Sequence, residues 1–444
     1  LRDLDGAYAI AAITTKEPGK MFAARLSSPL VIGVGKKEHL LASDPTALME
    51  HTKKVIFLDD YDMAVITSKK VSVHNLKKVS VHNLKKGKMA ERNAELLDYE
   101  NQEALLGDFP NFMLKEIFEA PATIRSATLG RTIASKNLVK LGGLESVTSQ
   151  LEYIDRLVIV ACGTSYYAGL VGEYLIEELA GIPVEVQLAS EFKYRNEPFS
   201  RSTAILAVSQ SGETADTIAA LKKVENYGVL RLGVVNAVGS TISRITDAGV
   251  YCHAGPEQAV ASTKAFIAQV TVLMQIALRL SDKSSKQYKS IIKELDALPA
   301  KAQAVLDQVD EIKKIALKYK DYRDFLFIGR TYSYPAALEG ALKLKEISYI
   351  HAEGYASGEM KHGPLAMIDE NFPTLAIATN SPMLEKAYSN IQEIRARKGP
   401  VVAIATKGNK AINKHADDVI YVPESLEQTC LILSTMVTQL FAYY

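Results

Sequence analysis

The sequence predicts an α/β protein with doubly wound parallel sheets, and two similar segments carry that prediction. Residues 157–161 and 203–208 are short apolar runs that end abruptly in polar residues, as buried parallel strands do. Each run is followed by a hydroxyl-rich turn and then by a segment of helical composition. Two such turns at the carboxyl ends of parallel strands are typical of the ligand crevice in a doubly wound sheet.

Both turns have the composition of an anion site. Their residues are Cys162, Gly163, Thr164 and Ser165 in the first turn, and Ser209, Gln210, Ser211 and Thr214 in the second. Helix N-termini favour negative charge, and hydroxyl groups add hydrogen-bond donors, so we predict that the turns bind a phosphate monoester. The alternative is that Ser211 or Thr214 only caps a helix, which satisfies backbone donors without a ligand.

Strand-like and helical segments alternate along most of the remaining chain. We predict a first parallel sheet from residues 157–161, 184–187, 203–208, 231–235 and 249–251, followed by a long helix at 265–280. Charged helical segments at 281–320 connect it to a second sheet with strands at 325–328, 374–378, 401–405 and 419–422. A helix at 112–121 that Pro121 stops or kinks precedes both sheets.

The first part of the chain has a different character. Short β-rich runs at 7–13, 30–34, 55–58 and 63–66 predict an antiparallel layered domain with a short capped helix at 46–51. Residues 69–76 and 77–84 are the same octapeptide in tandem, too few copies for a solenoid. His74 and His82 in these copies are candidate metal ligands, but without nearby carboxylates or cysteines we favour solvated strand residues.

Composition excludes several classes of partner. The 444 residues, enough for two or three domains, hold 52 basic and 51 acidic side chains, so no net field recruits nucleic acid or a membrane. The longest apolar runs are too short for a convincing membrane span. The cysteines Cys162, Cys252 and Cys430 are widely spaced, which favours a reducing compartment over a disulfide framework or zinc site. We therefore predict a cytoplasmic protein.

Two further segments carry acid–base side chains. Glu346 follows Lys343 by three residues on a predicted helix, so both side chains project from one face. The alternatives are an ordinary surface ion pair, or a helix in which Lys345 is the inward lysine. His362 stands in a turn, where an imidazole can hold or release a proton near neutral pH, although a loop histidine is usually just solvated.

Five motifs in matching order and spacing carry a resemblance to one enzyme family. They are Cys162 to Ser165, Ser209 to Thr217, Ala261 to Lys264, Leu342 to Ser348 and Lys361 to Pro364. The chain resembles the glutamine:fructose-6-phosphate amidotransferase family from end to end. The resemblance implies two sugar-isomerase (SIS) domains at 113–285 and 286–444, preceded by a linker at 91–112. It also implies that residues 1–90 are the rear part of a layered α+β N-terminal-nucleophile glutaminase domain.

The resemblance further implies a reaction and a set of roles. Ammonia derived from glutamine is transferred to fructose 6-phosphate, and the product is isomerised to glucosamine 6-phosphate without a metal or organic cofactor. In this family pattern Glu346 is the base and Lys343 faces the substrate, while Val260, Ala261 and Ser262 lie in a substrate-facing loop. His362 opens the sugar ring in the neighbouring subunit's site, which implies a homodimer. Taken on sequence alone, Ser262 and Thr263 are equally natural as an N-cap of the helix at 265–280.

Two departures from the family pattern lead us to expect a fragment. The family's nucleophile is an N-terminal cysteine, whereas this sequence starts at Leu1; the family's C-terminal tail, with its carbonyl-attacking lysine, has no counterpart after Tyr444. Two other functions stay open. One is a related sugar-phosphate isomerase or deglycase, which the β-rich segment at 1–68 disfavours. The other is a non-catalytic sugar-phosphate-binding module, which the presence of Glu346 and His362 disfavours.

Overall fold

The computed structural model describes residues 1–75 except positions 2, 3, 5, 7, 27, 44, 49 and 50, then residues 94–96 and 106–444. The second octapeptide copy with His82, and most of the predicted linker at 91–112, lie outside the described residues. Within the described ranges, no helix combines the length and apolar character needed to cross a membrane.

Two antiparallel four-stranded sheets form the first part of the chain. Their strands are β1 (Tyr8–Ile13), β2 (Lys20–Leu26), β3 (Val31–Val34), β4 (His39–Ala42), β5 (Lys54–Phe57), β6 (Asp62–Thr67), β7 (Val71–Asn75) and β8 (Glu95–Leu96). One sheet has the order β1-β2-β6-β7 and the other β4-β3-β5-β8. Buried side chains such as Ala23 and Ile32, one from each sheet, share a core between them. This region therefore has the predicted layered antiparallel architecture; the short helix predicted at 46–51 is a single 3₁₀ turn at Pro45–Leu48.

A helical entry and a five-stranded parallel sheet follow. The elements are α1 (Phe112–Phe118), α2 (Ala120–Thr128), β9 (Thr132–Ile133), β10 (Leu138–Val139), α3 (Thr148–Leu151), β11 (Arg156–Ala161), α4 (Gly163–Ala180), β12 (Val184–Leu188), α5 (Ala189–Phe192), β13 (Thr203–Ser209), α6 (Ala215–Lys223), β14 (Leu230–Val235), α7 (Thr241–Ile245), β15 (Ala248–Tyr251) and α8 (Lys264–Leu280). The sheet order is β12-β11-β13-β14-β15, with every pair parallel.

A second sheet repeats this order. Its elements are α9 (Lys286–Leu306), α10 (Val309–Tyr319), β16 (Asp324–Gly329), α11 (Ser333–Ser348), β17 (His351–Ala356), β18 (Thr374–Ala378), α12 (Leu384–Ala396), β19 (Val401–Thr406), β20 (Asp418–Val422) and α13 (Glu427–Tyr443). The order is β17-β16-β18-β19-β20, again all parallel. The prediction of two doubly wound parallel sheets is thus confirmed.

Two details differ from the sequence-based expectation. Strand β17 was not predicted, because its residues include His351, Glu353 and Gly354 and form no apolar run. Pro121 neither stops nor kinks the helix predicted at 112–121; it lies in the first turn of α2, after α1 has already ended. A proline is tolerated there because the first N–H groups of a helix have no partner within the helix.

One core joins the two sheets. Alternate strand residues such as Ile159 on β11 and Phe327 on β16 belong to a single buried cluster that also takes in side chains of the helices between the sheets. The opposite face of each sheet has its own smaller cluster, as the two-residue period of a strand requires. Helix α11, which packs on the second sheet, also contacts α13 and α4. A side chain of α11 can therefore reach the turns at the edge of the first sheet.

Candidate active site

The two predicted anion-binding turns lie side by side. Strands β11 and β13 are parallel neighbours at the point where the strand order reverses, with Val160 opposite Ala207. Their carboxyl ends therefore meet at the same edge, where doubly wound sheets bind ligands. The second turn leads into α6, which starts at Ala215, whereas α4 already starts at Gly163, so Gly163, Thr164 and Ser165, predicted as part of a turn before the helix, form its first helical turn instead. The arrangement is able to bind a phosphate between two helix dipoles.

Hydroxyl groups organise the second turn. Ser209 Oγ lies 3.1 Å from Thr214 Oγ1 and accepts a hydrogen bond from the Gly212 N–H at 3.0 Å, while Ser211 Oγ accepts from the Glu213 N–H at 3.1 Å. Thr214 stands at the N-cap of α6, but its side chain makes no cap hydrogen bond. The capping alternative therefore does not describe Thr214. Gly212 has a φ of +64°, and a Cβ there would lie 2.0 Å from Ser240 Oγ, so the turn requires glycine.

The first turn is held from behind. Ser165 is buried and accepts a hydrogen bond from Gln269 Nε2 on α8 at 2.9 Å. The Cys162 thiol lies 4.0 Å from Thr217 Oγ1, and burial raises the pKa of this thiol above its usual range. Cys162 therefore stays protonated near neutral pH and is not an activated nucleophile.

Lys343 is the inward lysine of helix α11. Its side chain is 1% exposed, whereas Lys345 is exposed to solvent. Lys343 Nζ lies 2.6 Å from Glu346 Oε2 and donates to Thr164 Oγ1 at 3.2 Å. The interpretation as an ordinary surface ion pair is wrong, because the lysine is buried and bridges the helices of two sheets. The predicted acid–base pair thus lies at the first of the two predicted anion-binding segments.

Glu339 completes this cluster and was not predicted. Its carboxylate is fully buried, 3.5 Å from Lys343 Nζ, and accepts a hydrogen bond from Thr164 Oγ1 at 3.3 Å. Burial raises the pKa of Glu339 from 4.5 to about 7, while the charge of Lys343 acts in the opposite direction. The signal that identifies it is spacing, since Glu339, Lys343 and Glu346 follow one another at intervals of four and three residues along one helix face.

The predicted substrate-facing loop is held by a carboxylate at its start. The Glu257 carboxylate accepts hydrogen bonds from the Thr263 and Ala265 N–H groups at 2.8 and 3.0 Å, and from Ser262 Oγ at 2.9 Å. Thr263 stands at the N-cap position of α8, but its side chain makes no cap hydrogen bond; the Glu257 carboxylate, eight residues before Ala265, binds the free N–H groups instead.

The exposure of the loop residues varies. Val260 is fully exposed, Ala261 is buried and Ser262 is half-buried. Glu116 on α1 holds the start of the loop through hydrogen bonds from the Gln258 and Ala259 N–H groups at 2.6 and 3.1 Å. The exposed Val260 is the loop residue most accessible to a ligand or a second subunit.

His362 does not join the cluster within one chain. It ends a 3₁₀ helix at Ser357–His362, is exposed, and makes no hydrogen bond or ion pair with any described residue. His351 is the first residue of β17, and its Nε2 lies 3.6 Å from Glu353 Oε1. The Tyr355 hydroxyl donates a hydrogen bond to the other oxygen of Glu353 at 2.7 Å. Among the described residues, no group of three or more histidine, cysteine or carboxylate side chains has the arrangement of a metal site.

Comparison with known proteins gives consistent results. The family model described as SIS domain matches residues 150–279 and 318–444. The glutamine–fructose-6-phosphate aminotransferase [isomerizing] of Chlorobaculum tepidum is 47% identical, covering 100% of this chain and 71% of its own length. The enzyme of the same name from Bacteroides thetaiotaomicron is 46% identical, covering 100% and 72%.

Solved structures are similar to about three quarters of the chain. The C-terminal domain of glucosamine-fructose-6-phosphate aminotransferase from Francisella tularensis has a TM-score of 0.71 and 34% identity, covering 76% of this chain and 96% of that one. Glucosamine-6-phosphate deaminase from Thermotoga maritima has a TM-score of 0.58 at 21% identity, covering 75% and 93%. The second match is evidence of a common fold alone.

Proposed function

The chain belongs to the glutamine–fructose-6-phosphate aminotransferase family, and from this premise we propose that it forms glucosamine 6-phosphate from fructose 6-phosphate and glutamine-derived ammonia. Nitrogen replaces the ketone oxygen at C2 with loss of water. A proton then leaves C1 and a proton is added at C2, which converts the imine of the ketose into the amino sugar.

The observation that carries this proposal is the hydrogen bond between Lys343 and Thr164. It holds the helix of the proposed base at a turn of the proposed phosphate site. The phosphate of the sugar would lie among the hydroxyl and N–H groups of Thr164, Ser165, Ser209, Gln210, Ser211 and Thr214. A small dianion needs no metal there, because two helix N-termini and several hydroxyl donors converge.

In this proposal Glu346 moves the proton between C1 and C2. Its side chain is 39% exposed, so it is open to a ligand on one side while Lys343 contacts it on the other. Lys343 holds the Glu346 carboxylate in place, and in the preceding step it supplies positive charge where the C2 carbonyl oxygen becomes electron-rich as ammonia attacks C2. Glu339 keeps Lys343 and Thr164 in position from the buried side.

The proposal also covers the domain boundaries, the second subunit and the cellular location. Residues 1–90 are the rear part of a glutaminase domain, 91–112 the linker, and 113–285 and 286–444 the two SIS domains. His362 acts in ring opening at the site of a second subunit of a homodimer, which fits its exposure. The protein is proposed to work in the cytoplasm, because its cysteines are free thiols.

An assay of product formation tests this function. Protein is incubated with fructose 6-phosphate and either glutamine or ammonium, and glucosamine 6-phosphate is measured by mass spectrometry. Fructose serves as the control substrate, and should give no product because it cannot occupy the phosphate turns. A protein that interconverts fructose 6-phosphate and glucose 6-phosphate but forms no amino sugar with either nitrogen source contradicts the proposal.

A further inference from the structure

A buried carboxylate lies inside the proposed phosphate turn. Glu213, between Gly212 and Thr214, is 4% exposed. Its Oε1 accepts a hydrogen bond from the Thr241 N–H at 2.7 Å, and its Oε2 accepts from Thr241 Oγ1 at 2.8 Å. These bonds fix the side chain against the first residue of α7, but they do not neutralise its charge. A negative charge this close to a bound dianion opposes binding unless a cation compensates it.

The compensating cation comes from the amino-terminal sheets. Arg25 on β2 is 2% exposed, and its Nη1 lies 3.7 Å from Glu213 Oε2 while donating to the Leu58 carbonyl at 2.7 Å. Its Nη2 lies 3.5 Å from Asp60 Oδ1. A guanidinium enclosed in this way has a fixed position and direction, in contrast to a solvated surface arginine.

Helix α6, which follows the turn, makes a second contact with the amino-terminal part of the chain. Lys222, near the end of α6, lies 2.5 Å from Asp60 Oδ2, so Asp60 contacts both Arg25 and Lys222. On α7, Arg244 lies 3.4 Å from Asp59 and its guanidinium stands 5.5 Å from the centre of the Phe57 ring. Helix α6 is therefore held at both ends by the β2 strand and the residues that follow β5.

We infer that Arg25 is a positioning residue for sugar-phosphate binding, which acts through Glu213 from a different part of the fold. It neutralises the only acidic residue in the turn at 209–214 and fixes the turn's orientation against the amino-terminal sheets. Loss of Arg25 leaves the Glu213 charge buried and uncompensated next to the phosphate. The inference rests on the proposed function, because it assigns the turn to the phosphate of the substrate.

If Arg25 compensates the charge of Glu213, substitutions of these two residues should change the affinity for fructose 6-phosphate in a specific way. Arg25→Met should weaken fructose 6-phosphate binding roughly tenfold or more, as expected for one extra unit charge within about 10 Å at an effective dielectric constant of about 20. Arg25→Lys, which keeps the charge, should retain most of the affinity. Arg25→Met/Glu213→Gln should recover most of the loss, because the uncompensated charge is gone. A purely structural role for Arg25 predicts no such recovery.

The test measures the dissociation constants of fructose 6-phosphate and inorganic phosphate by calorimetry, together with KM and kcat. Arg25→Met should raise KM and leave kcat within a few-fold, since it does not touch the reacting carbons. Arg231→Met is the matched control, because Arg231 on β14 pairs with Asp247, just before β15, and its loss is expected to leave affinity unchanged. Glu213→Gln alone should bind at least as tightly as the wild type, which keeps the test decisive if Arg25→Met fails to fold.

Three results overturn the inference while leaving the proposed function intact. One is equal affinity of wild type and Arg25→Met; another is a double variant that binds no better than Arg25→Met. The third is a tenfold loss of affinity in Glu213→Gln, which also contradicts charge compensation. Wild-type protein that binds no fructose 6-phosphate instead overturns the proposed function and this inference together.

Discussion

Lys343 on α11 donates a hydrogen bond to Thr164 at the start of α4, with 3.2 Å between Nζ and Oγ1. The residues are 179 positions apart in the chain and belong to helices that pack against different sheets. This contact places the proposed base Glu346 at the first anion-binding turn. It also means that neither parallel sheet contains the proposed site on its own.

The role of Glu346 is tested by Glu346→Gln. The variant should lose sugar turnover by about 10²–10⁴-fold, the typical contribution of a general base, while fructose 6-phosphate binds within a few-fold of wild type. Product formation and calorimetric affinity are the two measurements. Lys345→Met, a change at the exposed neighbouring lysine, is the control and should keep wild-type turnover. A large loss of affinity in Glu346→Gln removes Glu346 from the base role.

The buried ion cluster makes a prediction about stability. In Lys343→Met the fully buried Glu339 loses its counter-charge, which typically costs about 3–5 kcal/mol of unfolding free energy. The cost should be larger at pH 8 than at pH 6, because above about pH 7 the wild-type carboxyl ionises beside Lys343, whereas the unpaired carboxyl keeps a proton that the unfolded chain releases. Lys343→Met/Glu339→Gln should recover part of the loss in urea denaturation. Additive effects of the two changes contradict the direct interaction.

The phosphate turn is tested by replacing two hydroxyl groups. Ser209→Ala/Thr214→Ala removes the two hydroxyls that lie 3.1 Å apart and should weaken fructose 6-phosphate binding. Hydrogen bonds to charged groups are worth about 1.5–3 kcal/mol each, so the loss should be at least tenfold. Ser284→Ala, at an exposed hydroxyl far along the chain, serves as the control. Unchanged affinity of the double variant means that the phosphate binds elsewhere.

Glu116 predicts a distinct pH dependence of stability. Burial, and then the charge of Glu257, raise the pKa of Glu116 from 4.5 to about 7, with hydrogen bonds from the loop and the charge of Lys264 acting in the opposite direction. The folded protein therefore holds this proton up to about pH 7, whereas the unfolded chain releases it near 4.5. Stability associated with the neutral carboxyl is complete below pH 4.5 and declines as the pH rises to about 7.

Glu116→Gln mimics the neutral carboxyl and should remove this part of the pH dependence. We expect it to exceed the wild type in stability by up to roughly 3 kcal/mol at pH 8, and to match it below pH 4.5. Urea denaturation across pH 4–8 measures the difference, with the exposed Glu152→Gln as the control. A difference between wild type and Glu116→Gln that stays constant with pH contradicts the assignment.

The parts of the fold set by local pattern were predictable from sequence. The predicted apolar strands of both parallel sheets and the hydroxyl-rich turn at 209–214 lie where the pattern places them, because strand burial and turn chemistry act over a few residues; the first hydroxyl-rich segment is the first turn of α4, which starts three residues earlier than predicted. The choice of Lys343 over Lys345 was left open by spacing alone and came from the family resemblance. Strand β17 was missed because a parallel edge strand containing His351 and Glu353 has no apolar alternation to identify it.

The interactions that sequence did not predict are those between distant or unusual partners. Arg25 and Glu213 are 188 positions apart, and no local pattern connects a strand arginine with a carboxylate in a turn. Glu257 caps a helix from eight residues before Ala265, beyond the reach of the usual capping motifs. From the sequence, Glu339 cannot be distinguished from a helix-surface carboxylate. It is buried because α11 packs against α4 and α13.

Glu346 is the proposed base that accepts the proton leaving C1 of the sugar. The most direct measurement follows deuterium at C1 of labelled fructose 6-phosphate by mass spectrometry, with ammonium or glutamine present. Wild-type protein should move the label from C1 to C2 or into solvent, while Glu346→Gln should bind the sugar and leave the label at C1. Loss of label at equal rates from both proteins contradicts the account.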